Sequence, residues 1–225
     1  MAASLSELET IDGVIPARQV RSREAQQRLL QAGEAVFARM GYDGAHVSDI
    51  AAAANVSIGS FYRRFRDKDA LFHALQIEFV NRALINIDRF FDMPKWRSAS
   101  AGELVYTLVG NTTRAIERRA GFFRALFQRS LAGMPIAGVE TLRQTDEHAG
   151  RRLAGFLRSV GASDRPDLDE ACVFAIKSIE AVLIQRLILS QRERPKLSTP
   201  ETIESLTALL WGYLRLDPQS LPQSR

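Results

Sequence analysis

From residue 21 onward, apolar side chains recur at three- and four-residue spacing, and no alternating stretch of period two persists. The pattern predicts an all-α chain of about nine helices, near 22–40, 47–54, 57–65, 67–91, 101–119, 121–132, 137–160, 167–192 and 200–214. In the first helix Leu29, Ala32, Val36 and Met40, beside Leu30, Gly33 and Phe37, build one apolar face. Gly41 stands where a left-handed C-cap belongs. Asp67 and Asp69 suit the positive end of the long fourth helix. Thr199 followed by Pro200 reads as a hydroxyl N-cap and a proline at the first helical position. Residues 1–20 have no clear period and are expected to form a flexible tail; 217–225 is expected to fray.

The segment HVSDIAAAANVSIGSFYRRF, residues 46–65, places two short helices across a tight turn. Ala51 must be small because the second helix crosses close to it. Asn55 falls four residues later, where the turn needs positive φ; asparagine tolerates that conformation best after glycine. Val56 and Phe61 are apolar and would pin the second helix to the core. Small, turn and apolar residues at this spacing describe a helix-turn-helix, whose second helix enters the DNA major groove. Ser57 can cap that helix and leave its amides facing a phosphate. Ile58, Gly59 and Ser60 are small or apolar, so base edges can be approached closely. Tyr62, Arg63, Arg64 and Lys68 can reach phosphates, and Phe65 reads as core. Both arginines can equally form a solvated face.

Charge changes the picture in one place. The chain has 225 residues and a net charge of +4, and nine basic against five acidic residues lie between Arg18 and Lys68. The basic excess therefore lies in this segment, which contains the groove-binding helix. Composition is that of a soluble globular protein, with 46% hydrophobic and 25% charged residues. No run approaches 18 uninterrupted apolar residues, so no membrane partner is expected. The first residues lack the order of a signal peptide. One cysteine, Cys172, excludes an intrachain disulfide and a cysteine-rich zinc site, and an apolar helix makes it inert core. The three histidines are far apart. The chain is read as cytoplasmic, with no metal and no cofactor.

The string GYDGAHVSDIAAAANVSIGSFYRRFRDKDALFHAL resembles the DNA-binding domain of TetR-family regulators. The resemblance runs through Gly41-Tyr42, Asp49-Ile50-Ala51, Val56-Ser57, Phe61-Tyr62, Phe65, Lys68, Leu71 and Leu75, and covers about a quarter of the chain. It implies a three-helix DNA-binding domain over 21–80 and a larger helical effector-binding and dimerisation domain over 81–216. It also implies phosphate contacts by Tyr62 and Lys68, a cap at Ser57, and base contacts by Ile58, Gly59 and Ser60. His46 stands where threonine usually caps the first short helix and touches a phosphate; Ser48 is grouped with it. Asn55 replaces the commoner glycine.

The helix at 167–192 carries too many apolar residues for one small core: Phe174, Ile176, Ile179, Val182, Leu183, Ile184, Leu187, Ile188 and Leu189. With the helix at 200–214 it is expected to pack on its copies in a homodimer, as the resemblance also implies. Aromatic residues between these parts, Phe90, Phe91, Trp96, Tyr106, Phe122, Phe123, Phe127 and Phe156, are placed by the resemblance around a cavity for a small, largely apolar effector. Tyr106, Phe122 and Phe127 are its first candidates, and core packing is the alternative for each. Glu103, Asn111, Arg114, Arg124 and Gln128 are polar candidates. The expected function is a repressor that leaves a double-stranded DNA operator when an effector binds. The alternatives are an adaptor that uses the helix-turn-helix for protein contact and an all-helical enzyme. For the latter no acid-base pair, nucleophile set, phosphate loop or metal spacing is apparent, and Glu147-His148 stands alone.

Overall fold

A computed structural model of the chain describes residues 12–15, 20–131, 139–189 and 198–217. The termini at 1–11 and 218–225, Arg18, and most of the turn expected at 193–198 lie outside the described residues. Among the described residues the named elements are all helices, as the spacing predicts. They form α1 (Val20–Gly44), α2 (Val47–Ala53), α3 (Ile58–Tyr62), α4 (Lys68–Phe91), α5 (Ala101–Arg118), α6 (Ala120–Leu131), α7 (Val139–Ser159), α8 (Leu168–Leu189) and α9 (Thr199–Tyr213). A single 3₁₀ turn, Pro94–Arg97, follows α4. No described helix is long and apolar enough to cross a membrane.

The chain divides into two compact units, one of Met1–Ala83 with Arg119–Leu142, the other of Leu84–Arg118 with Arg143–Arg225. α6 clusters with the amino-terminal helices of the first unit. Contacts between segments a hundred residues apart leave no trace in periodicity.

In the first unit Leu29, Leu30, Val36 and Phe37 of α1 are buried against Leu71, Phe72 and Leu75 of α4, with Ile50, Phe61 and Phe65 beneath the two short helices. Met40 is exposed and does not join the apolar face of α1. Gly33 lets α4 in close: a Cβ there would sit 2.8 Å from Leu71 Cδ2. Regular α1 geometry breaks at Gly41, with φ 72° and ψ 177°. That region is open essentially to glycine alone and is not the left-handed cap expected. Phe72 stands edge-on to Phe37 at 5.0 Å and to Tyr42 at 5.2 Å.

Residues 12–15 depart from the expected tail. Val14 is only 6% exposed and forms an antiparallel bridge with Phe65.

In the second unit α5 packs on α8 and α9. Leu104, Val105 and Val109 of α5, Ile179 and Leu183 of α8 and Leu206 and Leu210 of α9 are buried. α7 meets α8 where Gly150 faces Val173; a Cβ would fall 2.6 Å from Val173 Cα. Arg158 joins Asp169 at 2.7 Å along the same seam. The end of α4 is held on α7 by His148 Nε2 to Asp88 at 2.7 Å and by Arg152 to Asp88 at 3.3 Å. Cys172 is fully buried, and burial pushes its thiol up to about 12, which leaves it unreactive. Ser198, not Thr199, caps α9: its Oγ accepts from the Glu201 amide at 3.4 Å, and its own amide donates to Glu201 Oε2 at 2.7 Å. This is a capping box, spelled by Ser198-Thr-Pro-Glu201, and it shifts the cap one residue.

Candidate nucleic-acid interface

The helix-turn-helix is built from local hydrogen bonds. His46 precedes α2 in an extended conformation, and its amide donates to Asp49 Oδ2 at 3.2 Å. The Asp49 amide takes the His46 carbonyl at 3.1 Å. α2 ends in a Schellman motif: the Val56 amide reaches the Ala51 carbonyl and the Asn55 amide the Ala52 carbonyl, each at 3.0 Å. Asn55 takes φ 52°, the positive value expected of it. Ser57 then caps α3, its Oγ accepting from the Ser60 amide at 3.1 Å.

A five-residue helix cannot sustain itself, so packing must hold α3. Phe61 and Phe65 are fully buried, with their rings tilted to each other at 5.8 Å. Anchoring on that side leaves the opposite face outward. Ile58 is 50% and Tyr62 51% exposed, one turn apart on one face. His46, Ser48, Ser57, Gly59 and Arg63 are also exposed, and Ser60 is half-buried. Ser60 Oγ accepts from Arg63 Nη2 at 2.8 Å, which lays the guanidinium along the helix surface. Arg64 is half-buried; burial, then the Arg63 charge, lowers its pKa.

Lys68 is tied to the loop ahead of α2. Its Nζ donates to the carbonyls of Tyr42 at 2.8 Å and Ala45 at 2.9 Å, and lies over the Tyr42 ring at 4.3 Å. Burial first lowers its pKa. Two of its three donors thus tie down the loop that leads into α2, leaving one for a phosphate.

Sequence reasoning missed the network behind this loop. The Tyr42 hydroxyl donates to Asp69, and Arg129 of α6 pairs with the same carboxylate at 2.6 Å. The Arg129 guanidinium also covers the Tyr42 ring at 3.7 Å. Burial, then the Asp69 hydrogen bond, raises the Tyr42 pKa, so the ring stays neutral. No signal in one sequence pairs residues 69 and 129.

The three effector candidates are not gathered in one unit. Phe122 and Phe127 belong to the first and Tyr106 to the second. Phe122 is core: it is 2% exposed and its ring packs 5.7 Å from Phe72 and 5.9 Å from Phe79. Phe127 is half-buried and Tyr106 exposed. Trp96 is buried on Phe90 at 5.0 Å and its indole N–H donates to the Phe90 carbonyl. Arg114 donates to Asn111 Oδ1 at 3.1 Å along its own helix.

Residues 29–75 match the family model of bacterial regulatory proteins, tetR family. A 45-residue stretch is 49% identical to the HTH-type transcriptional repressor DhaR of a Mycobacterium species. That stretch covers 20% of this chain and 23% of the relative's length. The fold resembles the crystal structure of a putative TetR-family transcriptional regulator from Mesorhizobium loti, with a TM-score of 0.72 and 17% identity over 88% of this chain and 98% of the other. It also resembles the fatty acid degradation regulator FadR from Bacillus halodurans, with a TM-score of 0.67 and 19% identity over 86% and 97% of the two chains. Residues 29–75 thus carry the DNA-binding motif described by the tetR family model, and the helical fold around them resembles that of these solved regulators.

Proposed function

We propose that this protein is a sequence-specific DNA-binding regulator of transcription, a repressor that leaves its operator when a small, largely apolar effector binds. The observation that carries the reading is the outward face of α3. The chain caps and anchors that helix so that Ile58, Tyr62 and Arg63 are exposed while Phe61 and Phe65 are buried. An apolar side chain for a thymine methyl and cations for phosphates make a reading head with a grip.

A homodimer is supported by the second unit. The buried stripe of α8, Ile176, Ile179, Leu183 and Leu187, faces its own core, while Phe174, Val182 and Ile188 stay exposed on the same helix. Leu209 of α9 is 53% exposed, and the Phe174 ring lies tilted against Tyr213 of α9 at 5.4 Å. Apolar residues on two neighbouring helices suit a twofold partner surface. Two recognition helices would then meet half-sites roughly 34–36 Å apart.

Effector response is supported by continuity. α4 is one helix with Lys68 at its start and Asp88 and Phe91 at its end, where His148 and Arg152 of α7 engage it. An effector bound near Tyr106 or Phe127 would act through its preference for one placement of that helix. A coupling of about 1–3 kcal/mol corresponds to roughly 5- to 150-fold release.

The test is a fluorescence-anisotropy titration of the DNA upstream of its own gene, at several salt concentrations, against excess random duplex. Binding that survives the competitor and weakens steeply with salt is the expected result. Affinity equal to that for random duplex across the flanking genes as well would favour the adaptor reading.

A further inference from the structure

We infer that residues 12–15 form a strap that holds α3 in its reading pose, with Gly13 and Val14 as positioning residues that touch no DNA. The role rests on the DNA-binding reading above; the grip on α3 does not.

The geometry is specific. The strap pairs with the stretch between α3 and α4: the Ile15 amide donates to the Arg64 carbonyl at 2.7 Å, and the Arg66 amide donates to the Gly13 carbonyl at 2.8 Å. Between them Val14 forms its bridge with Phe65, the residue that anchors α3 from its carboxyl side. Arg66 Nη1 adds contacts to both oxygens of Asp12, at 3.2 and 3.0 Å. That ion pair is exposed on both partners and contributes little. The backbone pairing and the buried valine therefore do the holding.

Gly13 is determined twice over. It takes φ +85°, and a Cβ on it would lie 2.9 Å from Ala70 Cβ and 3.3 Å from Arg66 Cζ. A side chain at residue 13 would strain the backbone and push the strap off the start of α4. The far side of α3 carries the proposed DNA contacts, and a five-residue helix has little stiffness of its own. Whatever loosens its carboxyl end loosens Ile58, Tyr62 and Arg63 together.

The experiment is amide hydrogen exchange on the full chain without DNA, paired with anisotropy on the upstream duplex. The variants are Gly13→Val, the milder Val14→Ser, and Asp12→Asn as the charge control. Gly13→Val and Val14→Ser should release the Ile15 and Arg66 amides and speed exchange across 58–65 by about tenfold or more, with 71–75 of α4 unchanged. Duplex affinity should fall by a similar factor, and Asp12→Asn should leave both readouts near wild type. Release of Ile15 and Arg66 with no change across 58–65 would overturn the strap. Loosening of α3 at unchanged affinity would overturn its positioning role. If the wild type binds no duplex, the DNA reading fails, and the exchange data still decide the grip.

Discussion

Gly121 faces the backbone of Ala38 so closely that a Cβ on it would fall 2.2 Å from the Ala38 carbonyl oxygen. The obstacle is main chain on both sides, and no rotamer change relieves it. Gly121→Ala should therefore force α6 away from α1 and cost roughly 1–3 kcal/mol despite the better helix propensity of alanine. Gly155 of α7 has open space around its missing side chain. Gly155→Ala should stabilise by about 0.5–1 kcal/mol through backbone entropy alone. Thermal unfolding of both variants checks the pair; equal shifts would show that α6 is not seated so tightly.

The turn at Asn55 gives a second test. Its φ of 52° suits glycine best, tolerates asparagine and disfavours a β-branched side chain. Asn55→Gly should be near neutral, and Asn55→Val should cost about 1–2 kcal/mol, with DNA affinity falling alongside. Urea unfolding followed by circular dichroism measures the stability, and unchanged stability in the valine variant would mean that the turn relaxes.

These two sites also mark what one sequence can yield. Asn55 and Ser57 were legible because a turn and a cap are settled by residues within three or four positions. The same local logic located Ser198-Thr-Pro-Glu201 but chose the wrong hydroxyl, since Thr199 beside Pro200 is the more familiar signal. The strap was missed because residues 12–15 offer one buried side chain, Val14, too little for any period. Arg129 on Asp69, and α6 against α1, join residues sixty or more positions apart, which spacing cannot report. The role of Phe122 is not legible in the sequence because core packing and effector contact use the same residue types.

On α3 two substitutions separate gripping from reading. Tyr62→Phe removes only a hydroxyl from an exposed ring, so affinity should fall by about 1 kcal/mol for every duplex alike. Ile58→Ala removes the apolar tip that can meet a thymine methyl, so preference among sequences should change while affinity for random duplex holds. Competition titrations with a panel of single-base variants give both quantities. Identical profiles for the two proteins would reverse the assignment.

The exposed apolar face of the second unit predicts association. Phe174→Glu together with Leu209→Glu places two charges on a surface proposed to be buried in the dimer. Neither side chain supports its own core, so folding should survive. Sedimentation should show the wild type as a dimer and the double variant as a folded monomer, with loss of most DNA affinity because two half-sites no longer bind together. A double variant that still sediments as a dimer would place the interface elsewhere.

The seam between α7 and α8 predicts a pH dependence. Glu180 is held well above the ordinary carboxylate range by burial, then by the nearby Asp146 charge and the hydrogen bond between them. Asp146 is raised as well, by burial first, although Lys177 and the Glu180 hydrogen bond oppose it. The folded state therefore favours the protonated form of Glu180, as the donor to Asp146. A carboxyl group with a raised folded pKa contributes stability that is present in full below its unfolded value, about 4.3, and is lost as pH rises through the folded value. Stability should thus decline as pH rises from about 4.3 toward the folded value. Glu180→Gln keeps a donor for Asp146 and has no proton to lose, so its decline should be shallower. The variant should unfold at higher urea than the wild type near pH 8, and the gap should narrow toward about pH 5. A gap that stays constant across that range would mean that Glu180 ionises in the folded protein as it does in the unfolded chain, and that the pair is not sharing a proton.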